Sequence, residues 1–271
     1  MRGQLKKMSV QLDSPIRYHL PLNDGKIALN ALIGQKVTLV NTGKIHCIHC
    51  SKPIKKTYNQ GYCYPCFISL AECDLCIVKP HTCHYQEGTC RQPEWGDAFC
   101  FQPHIVYLAN SSGIKVGITR ESQVPTRWID QGASQALAIF KVQSRHISGL
   151  VEIAIAKHIS DKTNWQQMLK KIAEPINLAN QRDHLISVCE TELTAIKERF
   201  GETSIEQLHD AETVDLHFPV SHYPDKIKSL CLIKTPEISG VLMGIKGQYL
   251  LLDCGVLNIR KYTGHEIIFT A

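Results

Sequence analysis

A chain of 271 residues with 44% apolar content is long enough to bury a sizeable core, in one large domain or two to three small ones. No run approaches the ~18 apolar residues of a membrane helix. The opening MRGQLKKMSVQLDS puts no apolar stretch behind its basic residues, so the expected location is the cytoplasm. The net charge of +5 conceals an asymmetry. Residues 1–171 carry 21 Lys and Arg against 11 Asp and Glu, whereas 172–271 carry 9 against 14. The basic part suggests a polyanionic partner, nucleic acid of either kind, DNA or RNA.

Residues 1–46 read as a β segment, with PIRYHLPL and QKVTLVN as strands separated by Asn23-Asp24-Gly25 and by Gly34. Residues 47–104 are rich in cysteine and poor in long apolar runs, as a metal-stapled module would be. Nine of the twelve cysteines fall there, between Cys47 and Cys100. In a reducing compartment metal ligation is the better reading than disulfides. CIHC (Cys47, Cys50) and CYPC (Cys63, Cys66) are two Cys-x-x-Cys knuckles separated by twelve residues. Two such knuckles complete a tetrahedron of thiolates around a structural zinc, leaving no position open for water. Between them lie Lys52, Lys55, Lys56 and Tyr58, residues that can grip phosphate and stack a base, or simply form a solvated turn. A second set follows: Cys73, Cys76, Cys83, His84, Cys90, Cys100 and His104. Cys73 and Cys76 of CDLC form the firm pair, and Cys83, Cys90 and Cys100 compete for the rest. About two zinc ions per chain are expected.

Residues 105–172 open with a hairpin, strands over 105–108 and 114–118 around a turn at 110–113. A proline-started helix ends near Gly132, and QALAIFKVQS (135–144) is a third strand. SGLVEIAIAKHIS is helical, with Ser148 as its N-cap. Glu152 lies on that helix beside Ile155, Ala156 and Ile159, a face a solvated charge avoids unless it is paired or binds metal. Another helix begins after Asp161 and carries Trp165, Met168, Leu169 and Ile172 at helical spacing. Residues 173–228 form a helical region in which QRDHLISVCETELTAIKERFG is a single amphipathic helix closed by Gly201. Residues 229–271 hold the short strands SLCLIK, SGVLMGIKG, QYLLLD, GVLNIRKY and EIIFT, a small β-barrel or curled sheet. The fold class is therefore α+β: a zinc-stapled module, a central small antiparallel sheet with helices, and a helical and β-rich C-terminal part.

Taken in order, IVY (105–107), KVG (115–117), Arg127 and Glu152 resemble the GIY-YIG nuclease superfamily, over about 60 residues with short motifs. Ile105 stands where that family has its first glycine and Lys115 where it has its second tyrosine. The likeness implies a central GIY-YIG-like fold and phosphodiester hydrolysis at a site of Tyr107, Lys115, Gly117, Arg127, Glu152 and Asn164. Glu152 would hold Mg²⁺ or Mn²⁺ at the scissile phosphate, and Arg127 would neutralise charge on the phosphoryl oxygens. Tyr107 would orient or deprotonate the attacking water, which needs its pKa of ~10 lowered. Lys115 would add a phosphate contact. Across nearly the whole chain, QGYCYPCF, CDLC, GTCR, VYLANSSGIKVGITR, TRWIDQGA, DKTNW and GIKGQYLLLDCGVLNIRKY are similar to a bacterial family known only as a domain of unknown function. That likeness implies that zinc module, hairpin and C-terminal strands travel together. Two other readings stay open: a catalytically inactive nucleic-acid-binding module, and a zinc-stapled scaffold for a protein partner.

Overall fold

The structure, a computed structural model, describes residues 1–23, 25–159 and 163–271. Asp24 of the expected turn, and Asp161 and Lys162 of DKTNW, lie outside the described residues. The N-terminal part holds β1 (Arg2–Gln4), β2 (Ser9–Gln11), β3 (Arg17–Leu22), β4 (Gly25–Ala28) and β5 (Lys36–Ile45). The cysteine-rich segment has only α1 (Tyr64–Ser69), α2 (Pro93–Phe99) and short 3-10 turns. The centre runs β6 (His104–Asn110), β7 (Ile114–Arg120), α3 (Thr126–Asp130), β8 (Gln135–Val142), α4 (Arg145–Ala156) and α5 (Trp165–Lys170). Then come α6 (Leu178–Val188), α7 (Glu190–Phe200), β9 (Ile205–Gln207) and β10 (Val214–Asp215). The chain closes with β11 (Glu237–Lys246), β12 (Tyr249–Leu252), β13 (Gly255–Asn258) and β14 (His265–Thr270). The architecture is mixed α+β with small antiparallel sheets.

Strand β6 explains why HIVYLAN is so apolar: all seven residues are buried. Side chains alternate between the faces of a strand. Accordingly Ile105, Tyr107 and Ala109 enter one core with the terminal strands, while Val106 and Leu108 enter a second with α4, α6 and α7. A sheet covered on both sides reads as a continuous apolar run. The hairpin pairs Tyr107 directly with Gly117, and β8 lies on the other side of β6, in the order β10-β8-β6-β7.

Several expectations are corrected. The segments 1–46 and 229–271 share one six-stranded sheet, β1-β14-β5-β11-β12-β13, because β5 inserts between β14 and β11. Among the described residues no pairing joins β1 to β13, so this sheet is open and not a barrel. SLCLIK is a turn-rich stretch that contributes an isolated bridge, Ser229 to Val256. The N-cap of α4 is Ser144, whose hydroxyl accepts the Ile147 amide at 3.3 Å. Ser148 sits one turn inside, donating to the Arg145 carbonyl at 2.7 Å. The expected single helix after Pro175 bends at Cys189 into α6 and α7. That bend brings Leu185, Cys189 and Leu193 into the same core.

Candidate metal centre and basic cavity

The two knuckles meet. One ligand atom each from Cys47, Cys50, Cys63 and Cys66 lies within 4.8 Å of the others, with Cys50 and Cys63 sulfurs 3.8 Å apart. Local structure accounts for this: the first knuckle leaves β5, and Cys63 caps the start of α1, its sulfur accepting the Cys66 amide at 3.5 Å. Burial pushes the Cys47 thiol up, but amides of Cys50, Cys63 and His49 outweigh it and bring it down to about 6. Amide donors aimed at a sulfur stabilise the thiolate that a zinc ion requires. Four thiols at this spacing can hold a structural, tetrahedral zinc.

The remaining expected ligands divide. Cys73 is buried and lies within electrostatic reach of Cys47, whereas Cys76 shares a small cavity with Cys83 and Cys100. Of the two, Cys76 joins a group close enough to hold an ion, with Asp74 and His84. Asp74 adopts an extended backbone between two 3-10 turns and caps the second, its carboxylate accepting the Cys76 amide at 3.2 Å. His104 joins neither cysteine group. It is buried at the start of β6 with Nδ1 2.7 Å from the Gln102 carbonyl oxygen. Lys52, Lys55 and Lys56 are exposed at the ribbon tip. Tyr58, however, is half-buried and already stacked on Phe67, with the Lys56 ammonium 5.3 Å from its ring centre. A base would have to displace these contacts.

A cavity of about 660 Å³ opens above the β6–β7 hairpin. Lys115, Gly117, Arg127 and Glu152 line it together. Tyr107 lies beneath, fully buried, its hydroxyl donating to Gln131 Oε1 at 3.0 Å. Burial raises Tyr107 to about 12; Arg127 beside it pulls down and Glu152 pushes up. The expected lowered pKa is therefore corrected: the phenol keeps its proton, because desolvation of the phenolate outweighs the guanidinium. Asn164 is not at this cavity. It caps α5, accepting the Gln167 amide at 3.1 Å, and its own amide donates to Ser112 at the hairpin tip.

The cavity also holds residues that sequence reasoning missed: Lys7, Arg120, Arg145 and Arg260. A weak signal existed for two of them. Arg120 ends the strand that carries Lys115 and Gly117, and Arg145 precedes Glu152 by two helical turns, which places them on one face. Burial, and then Arg145, lowers Arg120; burial, and then Arg127, lowers Arg260. Guanidiniums crowded in this way are relieved by an anion. Of the acidic groups at the cavity, Asp130 is tied to Lys7 and to Gln248 Nε2 (2.8 Å), and Glu72 lies by His49 on the zinc module. Glu152 is the carboxylate set beside the hairpin.

Fold and site together define a mixed α+β protein with a tetracysteine centre next to a basic cavity. The chain belongs to the family described as Protein of unknown function (DUF2797), which matches residues 34–267 and so spans the cysteine knuckles, hairpin and C-terminal strands. No curated protein and no solved structure matches it. Among the described residues, no helix is long and apolar enough to cross a membrane.

Proposed function

We propose that the basic cavity binds a nucleic-acid phosphodiester and that the chain is a zinc-containing protein with a GIY-YIG-like, divalent-metal-dependent endonuclease site. One observation carries this reading: Lys115 and Gly117 from a strand, and Arg127 and Glu152 from two different helices, line a single cavity over Tyr107. The surplus of basic side chains there suits a polyanion. Glu152 offers the hard oxygen donor, and the open cavity the room for waters and phosphate oxygens, that Mg²⁺ or Mn²⁺ needs. Such an ion, when bound, would polarise the scissile phosphate. Arg127 and Arg260 neutralise charge on the phosphoryl oxygens. Tyr107 retains its proton and acts by positioning Arg127 and Gln131.

The test is cleavage of labelled single- and double-stranded DNA and RNA, with and without Mg²⁺ or Mn²⁺. Glu152→Gln keeps volume but removes the charge, so turnover collapses while binding survives. Equal activity of Glu152→Gln and wild type would sink the catalytic reading. Lys115 in place of a tyrosine, together with the protonated Tyr107, favours a second reading, a binding module without turnover; it predicts retention on these substrates and cleavage of none.

A further inference from the structure

We propose that Cys76, Cys83, Cys90 and Cys100 form a second four-thiolate zinc site, which fastens the cysteine-rich segment to helix α4 behind Arg145. This goes beyond the function proposed above and does not depend on it.

The four cysteines line one small cavity, walled further by Tyr85 and Trp95. It has about 20 Å³ of free space, room for an ion or one water and none for an organic ligand. Cys76 lies within electrostatic reach of Cys83 and Cys100, and Cys100 of Cys83 and Cys90. The four reach this cavity from different places, Cys76 from one 3-10 turn, Cys83 from the end of the next, Cys90 from the extended stretch after the third and Cys100 from the end of α2, and no three of their sulfurs lie within 4.8 Å of one another.

The segment itself calls for a cross-link. Between residues 71 and 100 it has four 3-10 turns, over Ala71–Cys73, Leu75–Ile77, Pro80–Thr82 and Tyr85–Glu87, one short helix and no strand. Ala71, Cys73, Pro80 and Gly96 are its buried residues, while Leu75 and Val78 are exposed. So little apolar burial does not hold thirty residues in one conformation, and a thiolate-bound metal supplies folding energy directly.

A tighter group competes: Asp74, Cys76 and His84 bring one ligand atom each within 4.8 Å. Asp74 is otherwise engaged, however. Its Oδ2 takes Arg91 Nε at 2.7 Å, and its Oδ1 accepts the Cys76 amide and faces His84 Nε2 at 3.5 Å. His84 Nδ1 lies 2.7 Å from the Thr89 hydroxyl. Both side chains are placed to orient the ligand loop from outside the thiolate shell.

The site connects to the basic cavity through Arg145. Its amide donates to the Cys100 carbonyl at 2.8 Å, and its Nη1 to the Ile77 carbonyl at 3.4 Å. The turn at Pro80 packs so closely on α4 that a Cβ on Gly149 would fall 2.7 Å from Pro80 Cβ and from the His81 amide nitrogen. A metal gripping Cys76 and Cys100 fixes two carbonyls that hold Arg145 against the cavity.

The experiment is elemental analysis of the full chain, purified without added metal. Wild type carries two zinc ions per chain. Cys90→Ser, Cys100→Ser and Cys47→Ser each carry one, and Cys47→Ser with Cys90→Ser carries none. Cys73→Ser, Asp74→Asn and His84→Ala keep two. Because cysteine variants can fail to fold, cobalt-exchanged wild type is measured as well: its thiolate-to-cobalt absorption corresponds to eight thiolates over two ions. One zinc in wild type overturns the proposal. So does loss of the second ion from His84→Ala but not from Cys90→Ser, or a cobalt spectrum with nitrogen or oxygen ligands at the second site.

Discussion

Gly117 and Tyr107 are direct partners across the β6–β7 ladder, and the tyrosine ring covers the glycine: a Cβ there would fall 2.7 Å from both Cζ and the hydroxyl oxygen. The glycine is set by this close approach. The ring it admits lies under Arg127 and Gln131, so one missing side chain supports the floor of the cavity.

Gly117→Ala therefore destabilises the fold by overpacking, about 1–3 kcal/mol. If the cavity binds nucleic acid as proposed, the substitution also weakens that binding, because Tyr107 moves and takes its partners with it. Urea denaturation and a binding isotherm measure the two effects; a variant that unfolds with wild type shows the contact to be soft.

Tyr107→Phe removes the hydroxyl that donates to Gln131 and lowers stability at neutral pH by about 0.5–1.5 kcal/mol. The pH dependence identifies the cause. In the folded state Tyr107 is raised from 10.0 to about 12, so the native state holds its proton more tightly than the unfolded chain. Its contribution is complete below pH 10 and declines as pH rises from 10 to about 12. Wild type loses stability across that window faster than Tyr107→Phe. Parallel curves would mean that the phenol is not buried.

His104 acts at the other end of the scale. Burial lowers it from 6.5 to about 4, with smaller effects from the Gln102 carbonyl and from Arg145 and Arg120. The folded state thus favours the neutral ring, and the stability it contributes above pH 6.5 is lost as pH falls towards 4. The loss amounts to about 3 kcal/mol. Denaturation of wild type and His104→Leu at pH 7 and pH 4.5 separates this effect from protonation of the cysteine cluster, which both proteins share. A difference that is independent of pH excludes His104 as the acid-sensitive group.

Changing Lys52, Lys55 and Lys56 together to Ala tests whether the exposed ribbon tip tracks phosphates. Affinity for unrelated sequences falls, and the slope of log K against log salt flattens by up to about three ions, roughly one per lost contact. An unchanged slope means that the ribbon tip is solvated and tracks no phosphate.

What the sequence determined by itself is what short-range chemistry decides. Two Cys-x-x-Cys spacings brought Cys47, Cys50, Cys63 and Cys66 together because each pair is held within one turn of chain. The hairpin was legible because its strands are neighbours joined by Asn110, Ser111, Ser112 and Gly113. Glu152 was visible as a charge beside an apolar helical stripe. The tertiary structure alone decided the rest. Ser144 won over Ser148 as the α4 cap because packing, not pattern, set where that helix starts, and this put Arg145 in its first turn. Cys76 came to lie beside Asp74 and His84, a grouping that the motif did not suggest. Strand β5 crossed between β14 and β11, joining the two ends of the chain, since burying both sets of apolar residues requires a sheet that no local propensity specifies. The same long-range packing brought Lys7 to Asp130 and Arg260 to Arg127. Such pairs lie more than a hundred residues apart, where periodicity and spacing carry no information and only the shape of the folded core selects them.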